Sequence, residues 1–136
     1  MIPITTAQAG FLALGFALFA LDQVVKFFDD NMGASLKGSE LSRLSVFGVA
    51  HGLLMFYGSM LLDGKQTALV PLEKGQAILA ALLYVFWNYS SVIEQIKKVF
   101  PDVVDSTGKL KQWSGVLVMA AAHGASAYFA SRYIDM

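Results

Sequence analysis

Four long apolar stretches dominate the sequence and limit what the chain can fold into. A helix needs about 20 mostly apolar residues to cross roughly 30 Å of hydrocarbon. Four stretches approach or reach that length without a single Asp, Glu, Lys or Arg: residues 6–21, 44–62, 75–93 and 112–131. The first continues past Asp22 toward Phe28 and remains mostly apolar. The sequence therefore predicts four transmembrane helices.

The composition also favours a membrane protein. Hydrophobic residues make up 56% of the 136 residues and charged residues 15%, whereas soluble domains average about 45–50% and about 25%. The formal net charge is +0, so we expect no nucleic-acid partner. The lack of cysteine excludes disulfides, Cys-ligated zinc and thiol chemistry. We expect membrane lipids, including bound lipid, and other membrane-protein subunits as partners.

Signals for helix starts flank the apolar stretches. Pro71 and Glu73 stand where the third helix should begin, since proline fits a first turn and an acidic residue complements the helix dipole. Ser39 or Ser42 is placed to cap the second helix.

The first basic residue is Lys26, so we expect no signal peptide. Short connections then predict an all-α fold, a single four-helix transmembrane bundle with antiparallel neighbours.

The distribution of basic residues predicts the orientation of the bundle. Cytoplasmic connections carry an excess of Lys and Arg. Seven basic residues lie on the side of the first and third connections, and three lie on the opposite side. The seven are Lys26, Lys37, Arg43, Lys97, Lys98, Lys109 and Lys111, and the three are Lys65, Lys74 and Arg132. We therefore expect both termini on the non-cytoplasmic side.

The two halves of the chain resemble each other. A shift of 72 residues without a gap aligns the Ala-His-Gly sequence around His51 with the one around His123. Other matched pairs are Asp22 with Glu94, Gln23 with Gln95, Lys26 with Lys98, and Ser59 with Ser131. We interpret residues 1–64 and 73–136 as two tandem two-helix repeats. Because each repeat holds two spans, the halves would share one orientation and place both histidines at the same depth, where they could face each other.

The two histidines are the principal candidate site, and three roles are open for them. An imidazole in hydrocarbon needs a partner, so each could form an interhelical hydrogen bond, for instance to Asn88 or Tyr84. Both could instead bind a cofactor, as axial ligands of haem or chlorophyll. The third role is proton relay or substrate binding. The residue type and position alone do not choose among these roles.

A polar stripe marks the third predicted span. Tyr84, Asn88, Ser91 and Gln95 recur at helical spacing, so on one continuous helix they would share a face. This stripe is typical of helix–helix contacts, and it would also suit the path of a small transporter.

Small residues near the histidines predict close helix packing. Small residues four apart let helix backbones approach one another. Gly48 and Gly52 form one such pair, Ala120 and Gly124 form another, and Ala9, Ala13 and Ala17 give the first helix a smooth stripe.

The span spacing resembles that of the DoxX-like four-helix membrane proteins. The residues that carry the resemblance are 11–16 (FLALGF) leading toward Lys26, 52–58 (GLLMFYG), and the apolar run 77–86. The resemblance implies a small membrane subunit or accessory factor, and some members of the family are partners of quinone-linked oxidoreductases. It assigns no catalytic residue to this chain.

The sequence contains no motif for hydrolytic or group-transfer chemistry. We therefore expect a non-catalytic subunit or assembly factor of a larger membrane complex. The alternatives are a haem- or chlorophyll-binding electron-transfer or pigment subunit that uses His51 and His123, and a small transporter whose path follows Tyr84, Asn88 and the histidines.

Overall fold

The computed structural model describes residues 2–36, 38–63, 69–104 and 114–134, without the side chains of residues 32–36. The regular structure in these ranges consists of six α-helices and one short 3-10 turn, which confirms the all-α prediction. The helices are α1 (Thr6–Phe19), α2 (Asp22–Leu36), α3 (Glu40–Leu62), α4 (Lys74–Asn88), α5 (Ser90–Val99) and α6 (Ser114–Ala130), and the 3-10 turn is Pro101–Val103.

The first predicted span is divided between two helices. A capping box starts α1, because Gln8 N donates to Thr5 Oγ1 at 3.1 Å and Thr5 N donates to Gln8 Oε1 at 2.9 Å. The carbonyl of Leu21 accepts from the backbone N–H of Val24 and Val25 and so begins a new helix. The axes of α1 and α2 differ by 66°. The predicted continuation toward Phe28 therefore belongs to a separate helix.

The second predicted span is the unbroken helix α3. Ser42 N donates to Ser39 Oγ at 3.2 Å, so Ser39, not Ser42, caps this helix. Glu40 lies in the first turn, where its charge complements the helix dipole. The helix has 23 residues and a mean hydropathy of 1.5 over its most apolar window. Its length and composition alone are sufficient for crossing a membrane.

The third predicted span is also divided. α4 begins directly after Glu73, close to the start that the sequence predicts, while Pro71 precedes the helix and does not lie in its first turn. Glu73 and Gln76 form a capping box there. The helix ends at Asn88, and the carbonyl of Tyr89 accepts the first hydrogen bonds of α5. The two axes differ by 65°. The prediction of one continuous helix over 75–93 is therefore wrong in its last residues, which belong to α5.

The fourth predicted span corresponds to α6, which has 17 described residues. The predicted span covers residues 112–131, and its first two positions, 112 and 113, lie outside the described residues. Within the described ranges, α3 alone is long and apolar enough to cross a membrane, and up to three spans are present if each bent pair counts as one. A candidate membrane helix is thus present, while α6 is a shorter apolar helix.

Four of the helices pack around a common interior. α1 contacts α6 and α3, and α4 contacts α3 and α6, so the contacts form a closed ring. Two apolar clusters fill the interior. One contains Phe16, Phe19, Phe47, Tyr84, Val103, Met119 and Ala120, and the other contains Ile4, Leu12, Met55, Leu72, Leu79, Ala80 and Ala127.

Glycines bring the helix backbones together, as the small-residue pattern predicts. A Cβ at Gly52 would lie 3.0 Å from the carbonyl oxygen of Ala77, on α4. A Cβ at Gly124 would lie 2.7 Å from the carbonyl oxygen of Ala9 and 3.3 Å from Ala13 Cβ, both on α1. Any larger side chain at these two positions would therefore push helices apart.

Two serines hold the starts of α1 and α4 in the same way. Ile4 N donates to Ser131 Oγ at 2.8 Å, and Leu72 N donates to Ser59 Oγ at 2.8 Å. Ser59 lies in the last turn of α3, and Ser131 directly follows the last residue of α6. Each serine thus joins the end of one helix to the segment that begins another.

Two glutamines repeat this equivalence. Gln8 Nε2 donates to Val70 O at 2.9 Å, and Gln76 Nε2 donates to Ile2 O at 3.0 Å. Both glutamines occupy the third position of their helix and are fully buried. Each side chain therefore ties its own helix to the segment preceding the equivalent helix.

The equivalent residues of the two halves are separated by two different numbers of residues along the sequence. Gln8 and Gln76 are 68 residues apart, whereas His51 and His123 are 72 residues apart. The shift of 72 thus fits α3 and α6, while the contacts of α1 and α4 differ from it by about one turn. A slip of one turn leaves nearly the same helix face in place, which explains why the alignment without a gap still matched apolar residues.

Large apolar side chains also cover the outside of the molecule. They occur on each of the four packed helices and are between 37% and 72% exposed. They include Leu14 and Leu18 on α1, Val49, Leu53 and Leu61 on α3, Ile78, Leu82 and Phe86 on α4, and Leu117, Val118 and Phe129 on α6. This surface is far more apolar than water would favour.

Candidate functional site: a buried histidine pair beside an amphipathic cleft

The two histidines meet between α3 and α6. The Nε2 atoms of His51 and His123 are 3.0 Å apart, and both side chains are 0% exposed. Their ring planes are inclined by 67° with centroids 4.9 Å apart. The histidines thus face each other, as the repeat predicts. The hydrogen bonds to Asn88 or Tyr84 that the sequence suggested are replaced by this one.

Aromatic rings enclose the pair. Phe16 lies 5.1 Å from His123 between ring centroids, and Phe19 lies 5.6 Å from His51. Tyr84 stacks on His51 at 5.0 Å with an angle of 27° between the rings. Apolar rings exclude water from the hydrogen bond, so the bond joins the two helices in a dry environment.

The hydrogen bond requires different protonation of the two rings. One Nε2 must carry the proton and the other must offer its lone pair. In a neutral pair the accepting ring carries its proton on Nδ1, and the donating ring has a bare Nδ1. Among the described residues, neither Nδ1 has a hydrogen-bond partner. The pair therefore satisfies one nitrogen of each ring and leaves the other in apolar surroundings.

The geometry does not suit axial ligation of one tetrapyrrole by both histidines. Metal–imidazole bonds are about 2.0–2.1 Å long, so two ligands on opposite sides of a metal need their nitrogens about 4 Å apart. The observed 3.0 Å is a hydrogen-bond distance and leaves no slot for a macrocycle. The described ranges also contain no group of three or more His, Asp or Glu placed to hold a metal ion.

The predicted polar stripe is split by the bend after Asn88. Tyr84 is buried and Asn88 half-buried in α4, whereas Ser91 and Gln95 are exposed on α5. Asn88 Nδ2 donates to Tyr84 O, one turn earlier in the same helix, at 2.8 Å. The four residues therefore do not form one continuous path. Only Tyr84 and Asn88 line the cavity described next.

A cleft of about 640 Å³ lies beside the histidine pair. It opens between the α1–α2 junction, the start of α3 and the α4–α5 junction. Phe19, Phe47 and Tyr84 form its aromatic floor, and two of these rings also contact His51. The floor thus separates the histidine pair from the cleft, which we refer to below as the amphipathic cleft.

Charged side chains surround the opening of the amphipathic cleft. The charged residues that line it are Asp22, Glu40, Arg43, Glu94 and Lys97. Arg43 forms an ion pair with Asp29 at 2.8 Å, and this is the only ion pair within the described ranges. Within the described ranges, Asp22 forms no ion pair with Lys26, four residues later on α2, and Glu94 forms none with Lys98 on α5. Arg43 is therefore engaged, whereas Asp22, Glu94 and Lys97 on the rim carry charges of both signs and have no ion-pair partner within the described ranges.

The structure contains interhelical bonds that the sequence interpretation missed. Glu40 accepts from Ser90 N at 2.6 Å and from Ser90 Oγ at 2.8 Å, so α3 caps the start of α5. Trp87 Nε1 donates to Ser126 Oγ at 2.9 Å and joins α4 to α6. The glutamine bonds were also missed, although a glutamine at the third position of a helix is a capping-box signal that could have indicated them.

No family model, curated protein or solved structure matches this chain.

Proposed function

We propose that the chain is a small integral membrane protein with four spans, a bundle of two tandem two-helix repeats in parallel orientation. It acts as a non-catalytic subunit or assembly factor of a larger membrane complex. The exposed apolar side chains support the membrane location, because they occur on α1, α3, α4 and α6 alike. Lipid would solvate this surface at no cost, whereas water would not.

The shorter helix α6 is compatible with a membrane span. Its 17 residues rise about 26 Å at 1.5 Å per residue, and spans of about 17–25 residues occur in bilayers. Local thinning of the bilayer accommodates a shorter stretch at modest cost. The packing of α6 against α1 and α4 supports its inclusion in the bundle.

The paired contacts support the tandem repeat and its parallel sense. The two serines, the two glutamines and the two histidines each contribute equivalent bonds to the two halves. A pseudo-twofold axis along the membrane normal relates such contacts. We keep the orientation that the basic residues predict, with both termini on the non-cytoplasmic side. The DoxX-like resemblance agrees with a four-span accessory factor.

The observation that carries the non-catalytic role is the hydrogen bond between His51 and His123. The histidines are the strongest candidate bases in the chain. Their Nε2 atoms bind each other, and both side chains are fully buried. General acid–base catalysis requires the base to lie within hydrogen-bond reach of a substrate. Here that position is occupied by the other histidine. The pair therefore has a structural role, in which its hydrogen bond joins α3 to α6.

The proposal is tested by substituting both histidines in native membranes. Leucine is apolar and fills much of the same space, so His51→Leu with His123→Leu removes both polar partners together, which is nearly neutral when shapes match. We expect the tagged double variant to resist carbonate extraction, to be recovered in the same complex as the wild type and to support the same activity of that complex. Normal assembly with lost activity would refute the non-catalytic role, and release by carbonate would refute the membrane location.

A further inference from the structure

The amphipathic cleft has the size of a ligand site. Its volume of about 640 Å³ lies within the range of about 300–1,000 Å³ that such sites occupy. It lies where α2 and α5 leave the directions of α1 and α4 by 66° and 65°. The two bends open the ring of helices at this end. The cleft therefore forms where the bundle would meet the lipid headgroups.

The floor and walls of the cleft favour an apolar or cationic group. Phe19, Phe47 and Tyr84 present aromatic rings, and Leu44 and Ile93 add aliphatic walls. Aromatic faces attract ammonium groups as well as apolar groups. An occupant would thus place either its apolar body or an amine against the floor.

Polar atoms with spare capacity lie next to the floor. Within the described ranges, the hydroxyl of Tyr84 makes no hydrogen bond, and Asn88 uses only its Nδ2 atom, toward Tyr84 O. Both residues line the cleft. An ester oxygen at this depth would accept from the hydroxyl of Tyr84, and the Asn88 side-chain oxygen would accept from an ammonium group.

The rim of the cleft is complementary to a zwitterion. Lys97 offers donors for a phosphate, and Arg43, which pairs with Asp29 through Nη1, keeps further N–H donors beside it. Asp22 and Glu94 offer acceptors for an ammonium group, whereas the carboxylate of Glu40 already accepts from Ser90. A purely anionic head would meet the carboxylates of Asp22 and Glu94, and a purely cationic head would meet the basic groups of Lys97 and Arg43. Only a head with both charges satisfies the two sets together.

We propose that the amphipathic cleft binds the headgroup of a zwitterionic phospholipid. The phosphate contacts Lys97 and Arg43, the amine contacts Asp22 and Glu94, and the glycerol region reaches Tyr84. This proposal rests on the membrane location proposed above. It adds a specific lipid site between the helix bends, and it makes the lipid part of the interface between α2, α3 and α5.

Native mass spectrometry of the detergent-purified protein tests this site. Phosphatidylethanolamine and phosphatidylglycerol are added separately, and free phosphoethanolamine provides the head without its chains. We expect retention of phosphatidylethanolamine over phosphatidylglycerol. Lys97→Glu should weaken the retention of phosphatidylethanolamine about tenfold, which corresponds to about 1.4 kcal/mol. Lys98→Glu is the matched control, because Lys98 is exposed on the same helix and does not line the cleft.

Each contrary outcome has a distinct meaning. Equal retention of the two lipids, or equal loss in the Lys97 and Lys98 variants, would overturn the site. Equally tight binding of free phosphoethanolamine would show a site for a soluble phosphate ester and overturn the lipid assignment. If carbonate also releases the protein from membranes, the proposed membrane location fails; if the protein stays embedded, only the lipid site fails.

Discussion

Gly124→Ala perturbs the closest approach between α6 and α1. The added Cβ would lie 2.7 Å from the carbonyl oxygen of Ala9 and 3.3 Å from Ala13 Cβ. Backbone atoms of a packed helix cannot turn aside as a flexible side chain does. The two helices must therefore separate by several tenths of an ångström, and contacts along both helices weaken.

The expected change in the free energy of unfolding of Gly124→Ala combines two opposing effects. Overpacking of this kind costs about 1–3 kcal/mol, whereas replacing glycine by alanine within a helix gains about 0.5–1 kcal/mol. Gly10→Ala separates them, because a Cβ at Gly10 in α1 meets nothing within 4 Å. Both variants share the gain in helix propensity, so their difference in the free energy of unfolding isolates the overpacking. We expect Gly124→Ala to be about 1–3 kcal/mol less stable than Gly10→Ala.

Equilibrium unfolding of the purified protein in mixed micelles measures this difference. Helix content by circular dichroism follows the transition as the denaturing detergent increases. Equal stability of Gly124→Ala and Gly10→Ala would refute the close packing of α1 on α6, and with it the equivalence of this contact to that of Gly52 with α4.

Three further predictions concern the buried polar groups. His51→Leu alone leaves His123 buried without a partner and should cost about 1–3 kcal/mol; the double variant with His123→Leu should cost less than the sum of the two single changes, as a double-mutant cycle would show. Gln76→Leu removes the acceptor of one backbone N–H and the donor to Ile2 O, so unfolding should require about 1–3 kcal/mol less, whereas the exposed Gln95→Leu should change stability by at most about 0.5 kcal/mol. The protein purified in mild detergent should show no Soret or chlorophyll absorption band. A band that the wild type retains and both single histidine variants lose would contradict the structural role of the histidine pair.

Local signals in the sequence predicted much of the helix framework. Glu73 and Ser39 mark helix starts because a capping side chain acts on the backbone N–H groups of its own first turn. The contact of His51 with His123 was predictable from the Ala-His-Gly sequence that both share, because the inferred repeat would place both histidines at one depth. These features depend on short-range chemistry or on the similarity between the two halves of the sequence.

The breaks in the helices were not predictable from such signals. Neither Leu21 nor Tyr89 is a residue that interrupts helices, and no glycine or proline lies beside them. Contacts between residues far apart in the sequence accompany the bends, such as the bond from Ser90 to Glu40 and the packing of Phe28 on Phe47. The cleft was not predictable for the same reason, since it exists only because the two bends open at one end.

In the proposed arrangement, the two halves lie in parallel in a membrane and are joined through their histidines. The chain contains two histidines, so ¹⁵N labelling of histidine alone gives a spectrum with four ring nitrogens. Solid-state NMR of the protein in lipid bilayers should show a correlation through the hydrogen bond between the two Nε2 atoms, with the rings in different protonation forms. Two independent imidazoles without that correlation would contradict the account.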